Sequence, residues 1–492
     1  MNTKELQPYV APQARVIAGF ARVDITPPVG MYHRMWGAAI HDRSTGVHRP
    51  LTGTALWLQP REQAKAGEAM LLIALDHCIL ERAVVDGIRE ATAHATGIPS
   101  SQVHVCLSHT HGAGFMARSR SDLPGGDMIG PYLDEMTKKV TRCAEQAHAA
   151  RVPAVLTCGT GRSNLAVHRD GYDAASKQYV CGFHPTGFSD DTLVVGRVTA
   201  ESTDGQPGRI LGTLVNYACH PTTLAWQNTL VSPDFIGALY ESIERATGNA
   251  PCFFIQGASG DLGPREGFVG DTAIADRNGR QLAHAALAVL EAMPPADTKF
   301  VYQGPVVSGA TLGTWKDEPL DAAERAVNER WKFADVNVAL DYRPDLPTIE
   351  FTKAEQAKWN AEIEKARAAG NEAALSEARA RAERMTRQLA KLSSLPAGKT
   401  FPYTVALAET GGIVWVVAPG ELYQVFQVEL RKRFAGKTLI VATIADDWQP
   451  GYLPDRATFG KGIYQEQIAV IAPGSLEAVT EKTGDGIAKL IG

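Results

Sequence analysis

Two histidines, His109 and His111, stand two residues apart in VCLSHTHGAG (residues 105–114), directly after a strand-forming run. Neutral imidazole is the commonest nitrogen ligand for zinc. In an extended segment, residues two apart point to one side, so both rings would face one point. One ring capping a turn while the other packs is the plain alternative, because short motifs often mislead. A third histidine, His220 in VNYACHPTTL, ends another strand-like run, and Pro221 after it stops further ladder pairing. Catalytic zinc typically takes three or four nitrogen or oxygen ligands and keeps one position open for water. Glu421 follows a buried strand and an Ala-Pro-Gly turn, and it is expected to open a helix, where a carboxylate also suits the helix dipole. The Pro- and Gly-dense loop DDWQPGYLPDRATFGKGIYQEQ carries Tyr452 and Tyr464, as binding loops do. Asp76 ends the run AMLLIALD and either orients a ligand histidine from behind or caps a turn.

These residues need a frame. From about residue 17 to 310, strand-like runs (TALWLQP, AMLLIALDHCIL, QVHVCLSHTH, RILGTLVNYACHPTTL, PCFFIQGASGD) alternate with amphipathic helical stretches. That alternation predicts an α/β fold with a mixed central sheet, flanking helices and ligand-binding loops at the strand ends. The Ala-, Glu-, Lys- and Arg-rich stretch 353–393 reads as a long helix or helical hairpin with a break near Gly370, its charges a solvated face. The expected organisation is an N-terminal extension (1–16) and a single catalytic domain (17–492) with a helical insertion at about 320–395.

Composition narrows the partners. A net charge of −5 supplies no basic excess for nucleic acid. The longest apolar runs, AMLLIAL and GIVWVVA, are too short to span a bilayer, so no stable membrane insertion is expected. Seven cysteines without a CxxC pair read as free thiols in a reducing compartment. The start of the chain lacks a signal-peptide pattern, so the expectation is a cytoplasmic, bacterial protein, with a mature secreted form the alternative.

The ordered motifs GFARVDITPP (19–28), SHTHGAG (108–114), NYACHPTT (216–223), GASGDLGP (257–264), APGE (418–421) and PGYLPD (450–455) together resemble the neutral ceramidase family, zinc amidases that cleave N-acyl-sphingosines. The resemblance runs over residues 17–475. It implies zinc held by His109, His220, Glu421 and Tyr452, with His111 as proton shuttle or water positioner. It further implies Tyr464 as oxyanion donor and Arg169, in LAVHRDGYD, as substrate grip; Asp261 completes the expected catalytic set. One departure is central: the family's GDxSP element reads GDLGP here, so Gly263 stands where the family's nucleophilic serine would be. Ser259 is a candidate replacement, although GASGD misses the GxSxG pattern at its last position and Ser259 also suits a small turn residue.

The reading is therefore a Zn2+-dependent hydrolase of an amide or ester bond, using metal-activated water, on a small acyl substrate other than classical ceramide. A genuine ceramidase or lipid N-acyl amidase, a zinc-retaining binding protein without turnover, and a serine hydrolase using Ser259 stay open beside it.

Overall fold

The computed structural model describes residues 6–61, 68–201 and 208–492. Residues 1–5 of the expected extension lie outside the described residues, and the first strand already begins at Gln13. Eight strands form the main sheet: β1 (Gln13–Asp24), β2 (Thr52–Gln59), β3 (Met70–Leu75), β4 (Val103–Leu107), β5 (Val152–Arg162), β6 (Thr192–Ala200), β7 (Ile210–Tyr217) and β8 (Cys252–Gln256). Their order is β8-β7-β6-β5-β1-β2-β3-β4. Pairing is antiparallel through the middle and parallel at both edges, β3 with β4 and β7 with β8. Parallel neighbours require a crossover, and the helices α1 (Arg82–Thr96) and α3 (Phe235–Ala246) provide them. With α2 (Ile129–Ala149) and α4 (Thr272–Ala292) they cover one face of the sheet.

The run MLLIAL of β3 is continuously apolar because both its faces are buried. Leu71, Ile73 and Leu75 pack with α1 and α2, while Met70, Leu72 and Ala74 face a second sheet. Each such side chain contributes about 1.5–3 kcal/mol by leaving water. The second sheet runs β9 (Trp331–Asp341), β10 (Thr400–Thr410), β11 (Ile413–Val417), β12 (Thr438–Ala442). Trp415, Val417 and Ile440 pack on the main sheet, and Val414, Val416 and Val441 pack on the outer helices Val425–Arg433 and Ser475–Ile491. The result is a helix–sheet–sheet–helix stack.

The stretch 320–395 is not helical throughout. WKFADVNVALD forms β9, paired along its length with β10, because its period is two rather than 3.6. The helical hairpin proper is α5 (Ile349–Ala368) and α6 (Glu372–Ser394), broken at Gly370, where φ is +63°. An antiparallel strand pair, Thr298–Ser308 with Ala310–Pro319, precedes it.

His109 follows the edge strand β4 and His220 follows β7, beside the other edge, and one short segment joins these two sides. Thr443 N donates to Gln256 O at the end of β8 (2.8 Å); on β4, Val105 O accepts from Asp446 N (2.8 Å) and Val105 N donates to the Asp446 carboxylate (2.8 Å). The Asn216 amide, on β7, pairs with both backbone groups of Val441 just before that segment.

Candidate metal centre

His109 follows β4 and adopts φ +65°, so the two histidines do not converge by strand alternation. The left-handed residue turns the chain, Thr110 is extended, and His111 starts a short 3-10 turn. Such a conformation is strained for a non-glycine residue and is typical of functional sites. His109 Nδ1 hydrogen-bonds Cys78 O at 2.8 Å. His220 Nδ1 likewise bonds Ser259 O at 2.9 Å. A backbone carbonyl only accepts, so both Nδ1 atoms carry the proton and both Nε2 lone pairs point forward.

They point at one place. His109 Nε2 and His220 Nε2 lie 3.0 Å apart, and each is 3.4 Å from Glu421 Oε2. All three residues are buried. Two lone pairs and a carboxylate oxygen in a buried cluster require a cation, whether a proton or a metal. Burial works against charge on His109, yet Cys78 and Glu421 beside it hold its pKa well above the usual value. Burial, with Arg169 and His109, pushes His220 down to about 3. A second grouping, Cys78 with His109 and His111, is also close, but the free nitrogen of His109 faces His220 and Glu421 instead.

Glu421 does not open a helix. Glu421–Leu422 is a two-residue strand parallel to Tyr452–Leu453, with Glu421 directly opposite Tyr452, and the helix begins only at Val425. Gly420 (φ +78°) and Gly451 (φ +85°) make the approach possible, since a Cβ on Gly420 would meet Gly451 O at 2.8 Å. This ladder fixes Tyr452, whose hydroxyl lies 3.4 Å from His220 Nε2 and accepts from Arg169 Nη2 at 3.0 Å. Arg169 also donates to Gly260 O (2.7 Å) and is buried behind Tyr452, so it positions that tyrosine instead of reaching the open cavity.

No family model and no curated protein sequence matches the chain. Solved structures do. The neutral ceramidase from Pseudomonas aeruginosa aligns with a TM-score of 0.63 at 14% identity, over 96% of this chain and 74% of its own. A ceramidase complexed with C2 aligns with 0.62 at 14%, over 95% and 74%. The fold is that of the neutral ceramidases.

Within this ceramidase-like fold a cavity of about 340 Å³ opens over the cluster, lined by His109, His111, Glu421, Tyr452 and Tyr464 among others. His111 packs against Trp36 (ring centroids 4.8 Å apart), and both its ring nitrogens are buried without a hydrogen-bond partner. Burial, then the neighbouring His109 and His220, holds its pKa well below the usual value, so the ring is neutral. Tyr464 starts the short helix Tyr464–Ile468 and stays 46% exposed, its ring 6.2 Å from that of Tyr452.

Other expected residues stand behind the site. Asp261 accepts from Gln424 N (2.7 Å) and Gln424 Nε2 (2.8 Å), so it anchors the turn after Glu421 and does not face the cavity. Ser259 Oγ lies on the Nδ1 side of His220 (3.3 Å), away from the cluster, and accepts from Gln256. Asp76 touches neither ligand ring; it binds Thr52 N and Oγ1, both at 2.8 Å, and the carbonyls of Cys78 and Ser259 do the orienting. Gly263 sits in a strand paired with Ala166–His168, its missing Cβ 3.7 Å from Arg169 and Thr222. Sequence reasoning missed Trp36 and, above all, α6: Glu383, Arg384, Arg387 and Lys391 form the opposite wall of the cavity. Glu383, Arg387 and Lys391 at i, i+4 and i+8, with Arg384 beside the first, mark one helix face, but nothing local says what that face meets.

Proposed function

We propose that the chain is a zinc-dependent hydrolase of an amide or ester bond in a small acyl substrate, with residues 17–492 acting as one catalytic unit. The observation that carries this is the convergence of His109 Nε2, His220 Nε2 and Glu421 Oε2 at one end of a cavity that also holds the unpartnered His111. The two structural neighbours are named as ceramidases, which cleave amides, and that supports the same reaction class. A cavity of about 340 Å³ lies at the low end of small-molecule sites, about 300–1,000 Å³, and favours a substrate smaller than a two-chain lipid. Seven free thiols, six of them buried, support a reducing, cytoplasmic setting. No helix among the described residues is long and apolar enough to cross a membrane.

A zinc ion held by His109, His220, Glu421 and Tyr452 would polarise the scissile carbonyl and lower the pKa of water at the open position. The protein's own groups do the rest. The carbonyls of Cys78 and Ser259 fix the tautomer and tilt of the two ligand rings. Arg169 holds the Tyr452 hydroxyl in place. Neutral His111 takes the proton of the attacking water on a free ring nitrogen and returns it to the leaving nitrogen or oxygen. Tyr464, facing the cavity, donates to the developing oxyanion, a contribution of roughly 3 kcal/mol for a well-placed donor.

The test is metal content of the purified protein and of His220→Ala and Glu421→Ala, followed by a panel of short N-acyl amides and esters. Near-stoichiometric zinc that is lost in both variants, with turnover lost alongside, supports the assignment. A wild-type protein that retains no zinc after it is supplied and the excess removed overturns it.

A further inference from the structure

The cavity wall opposite the metal cluster is cationic, and its charges are not all used. Four cationic side chains (Arg343, Arg384, Arg387, Lys391) and three carboxylates (Asp345, Glu383, Glu421) line the cavity. The carboxylates are committed. Asp345 is gripped by Arg343 through two bonds, 2.9 and 2.7 Å. Glu383 is held by Arg120 through two bonds, 3.0 and 2.7 Å, and by Arg387 at 2.6 Å. Glu421 belongs to the histidine cluster. Among the described residues neither Arg384 nor Lys391 hydrogen-bonds a carboxylate: Arg384 donates to the Gln467 side chain and Lys391 to Ile468 O, with Glu421 acting on Lys391 only through space.

Lys391 is the telling one. It is only 9% exposed, it lies over the Trp448 ring at 5.6 Å, and its single hydrogen bond goes to a backbone carbonyl at 3.0 Å. An ammonium has three donors, and a buried cation without an anion is costly. Burial pushes its pKa down to about 8, against Glu421, which raises it. Arg384, Arg387 and Lys391 follow one face of α6, passing from exposed to half-buried to buried. The remaining lining (Met35, Phe115, Leu346, Trp448) is apolar.

Building on the hydrolase reading above, we infer that the substrate is an acyl compound carrying a carboxylate, seated on Lys391 with Arg384 at the mouth, while its acyl chain lies on the apolar lining. N-acyl amino acids are the simplest members of that class. Discrimination comes from the buried ammonium: a substrate with a neutral group there gives its remaining donors no anion to bond.

Calorimetric binding to the zinc-loaded protein tests this with two probes, N-octanoylglycine and N-octanoylglycinamide, and hydrolysis of both is followed in parallel. The carboxylate probe is expected to bind at least about tenfold tighter, and Lys391→Met is expected to abolish most of that preference while zinc content stays at the wild-type level. Arg384→Gln, at the exposed end, should cut the preference about threefold and serves if Lys391→Met fails to fold. Equal affinity for the two probes overturns the inference. So does a preference that survives both substitutions, because the metal itself would then be holding the carboxylate. Tight, Lys391-dependent binding without hydrolysis of either probe keeps the anion site and counts against the hydrolase reading instead.

Discussion

The two walls of the cavity are built by different means. The metal-cluster wall collects His109, His220, Glu421 and Tyr452 from four separate segments and holds them with backbone: two carbonyls behind the histidines and a two-residue ladder under Glu421 and Tyr452. The facing wall is one face of one helix, α6, tied down by side-chain ion pairs through Glu383. A backbone-held site tolerates little change in geometry, whereas a helix face can be rewritten residue by residue without altering the sheet that holds the cluster. The first wall is suited to reaction type and the second to substrate choice.

Mutations separate the two. The largest effect belongs to the cluster. His220→Ala should reduce zinc affinity by more than the roughly 10–100-fold typical of removing a supporting partner, and take activity with it, which metal analysis and turnover will show. On the other wall, Glu383→Gln leaves Arg120 and Arg387 without their shared carboxylate. Denaturant unfolding should show a loss of about 3 kcal/mol, with zinc content unchanged. If zinc is lost as well, the two walls are coupled and the comparison breaks down.

A subtler test uses pH. Burial raises Asp261 to about 7, more than its Gln424 donors lower it. A carboxyl whose folded pKa lies above its unfolded value of about 3.9 binds its proton more tightly in the native state. Its contribution is therefore present at low pH and lost as pH rises from about 4 to about 7. Thermal melts of wild type against Asp261→Asn across that range should show the wild-type slope flattened in the variant. The smallest effect is expected at Ser259, where alanine removes the bond from Gln256 and the longer contact with His220 Nδ1, whose main partner Ser259 O remains. Activity should stay within about threefold and stability within about 1 kcal/mol. A loss of turnover with zinc retained would instead make Ser259 a nucleophile.

Much of the first wall was legible in the sequence, because strand ends announce themselves. The apolar runs before Ser108 and Cys219 end abruptly at histidines, and it is their company with Glu421 and Tyr452, not any one histidine, that points to a metal. The geometry behind them was not legible. The i, i+2 argument for His109 and His111 assumed an extended chain that the left-handed φ of His109 breaks. The ladder pairing Glu421 with Tyr452 is set by two glycines thirty-one positions apart, which no local pattern connects. The second wall was invisible for a different reason: Lys391 and its neighbours look like any solvated helix face until a cavity is placed against them. The alternation of periods points to the fold class, while at 331–341 a strand with a period of two is masked by the helical composition of the neighbouring hairpin.

The segment Thr443–Asp446, which bonds to both edges of the main sheet, also sets a schedule. His109 and His220 are made early, and the segment that joins their two sides of the sheet is made late, about nine-tenths of the way along the given sequence. Until that segment emerges, the chain carries the two histidines without the backbone that brings them together, so the candidate metal site closes late in synthesis.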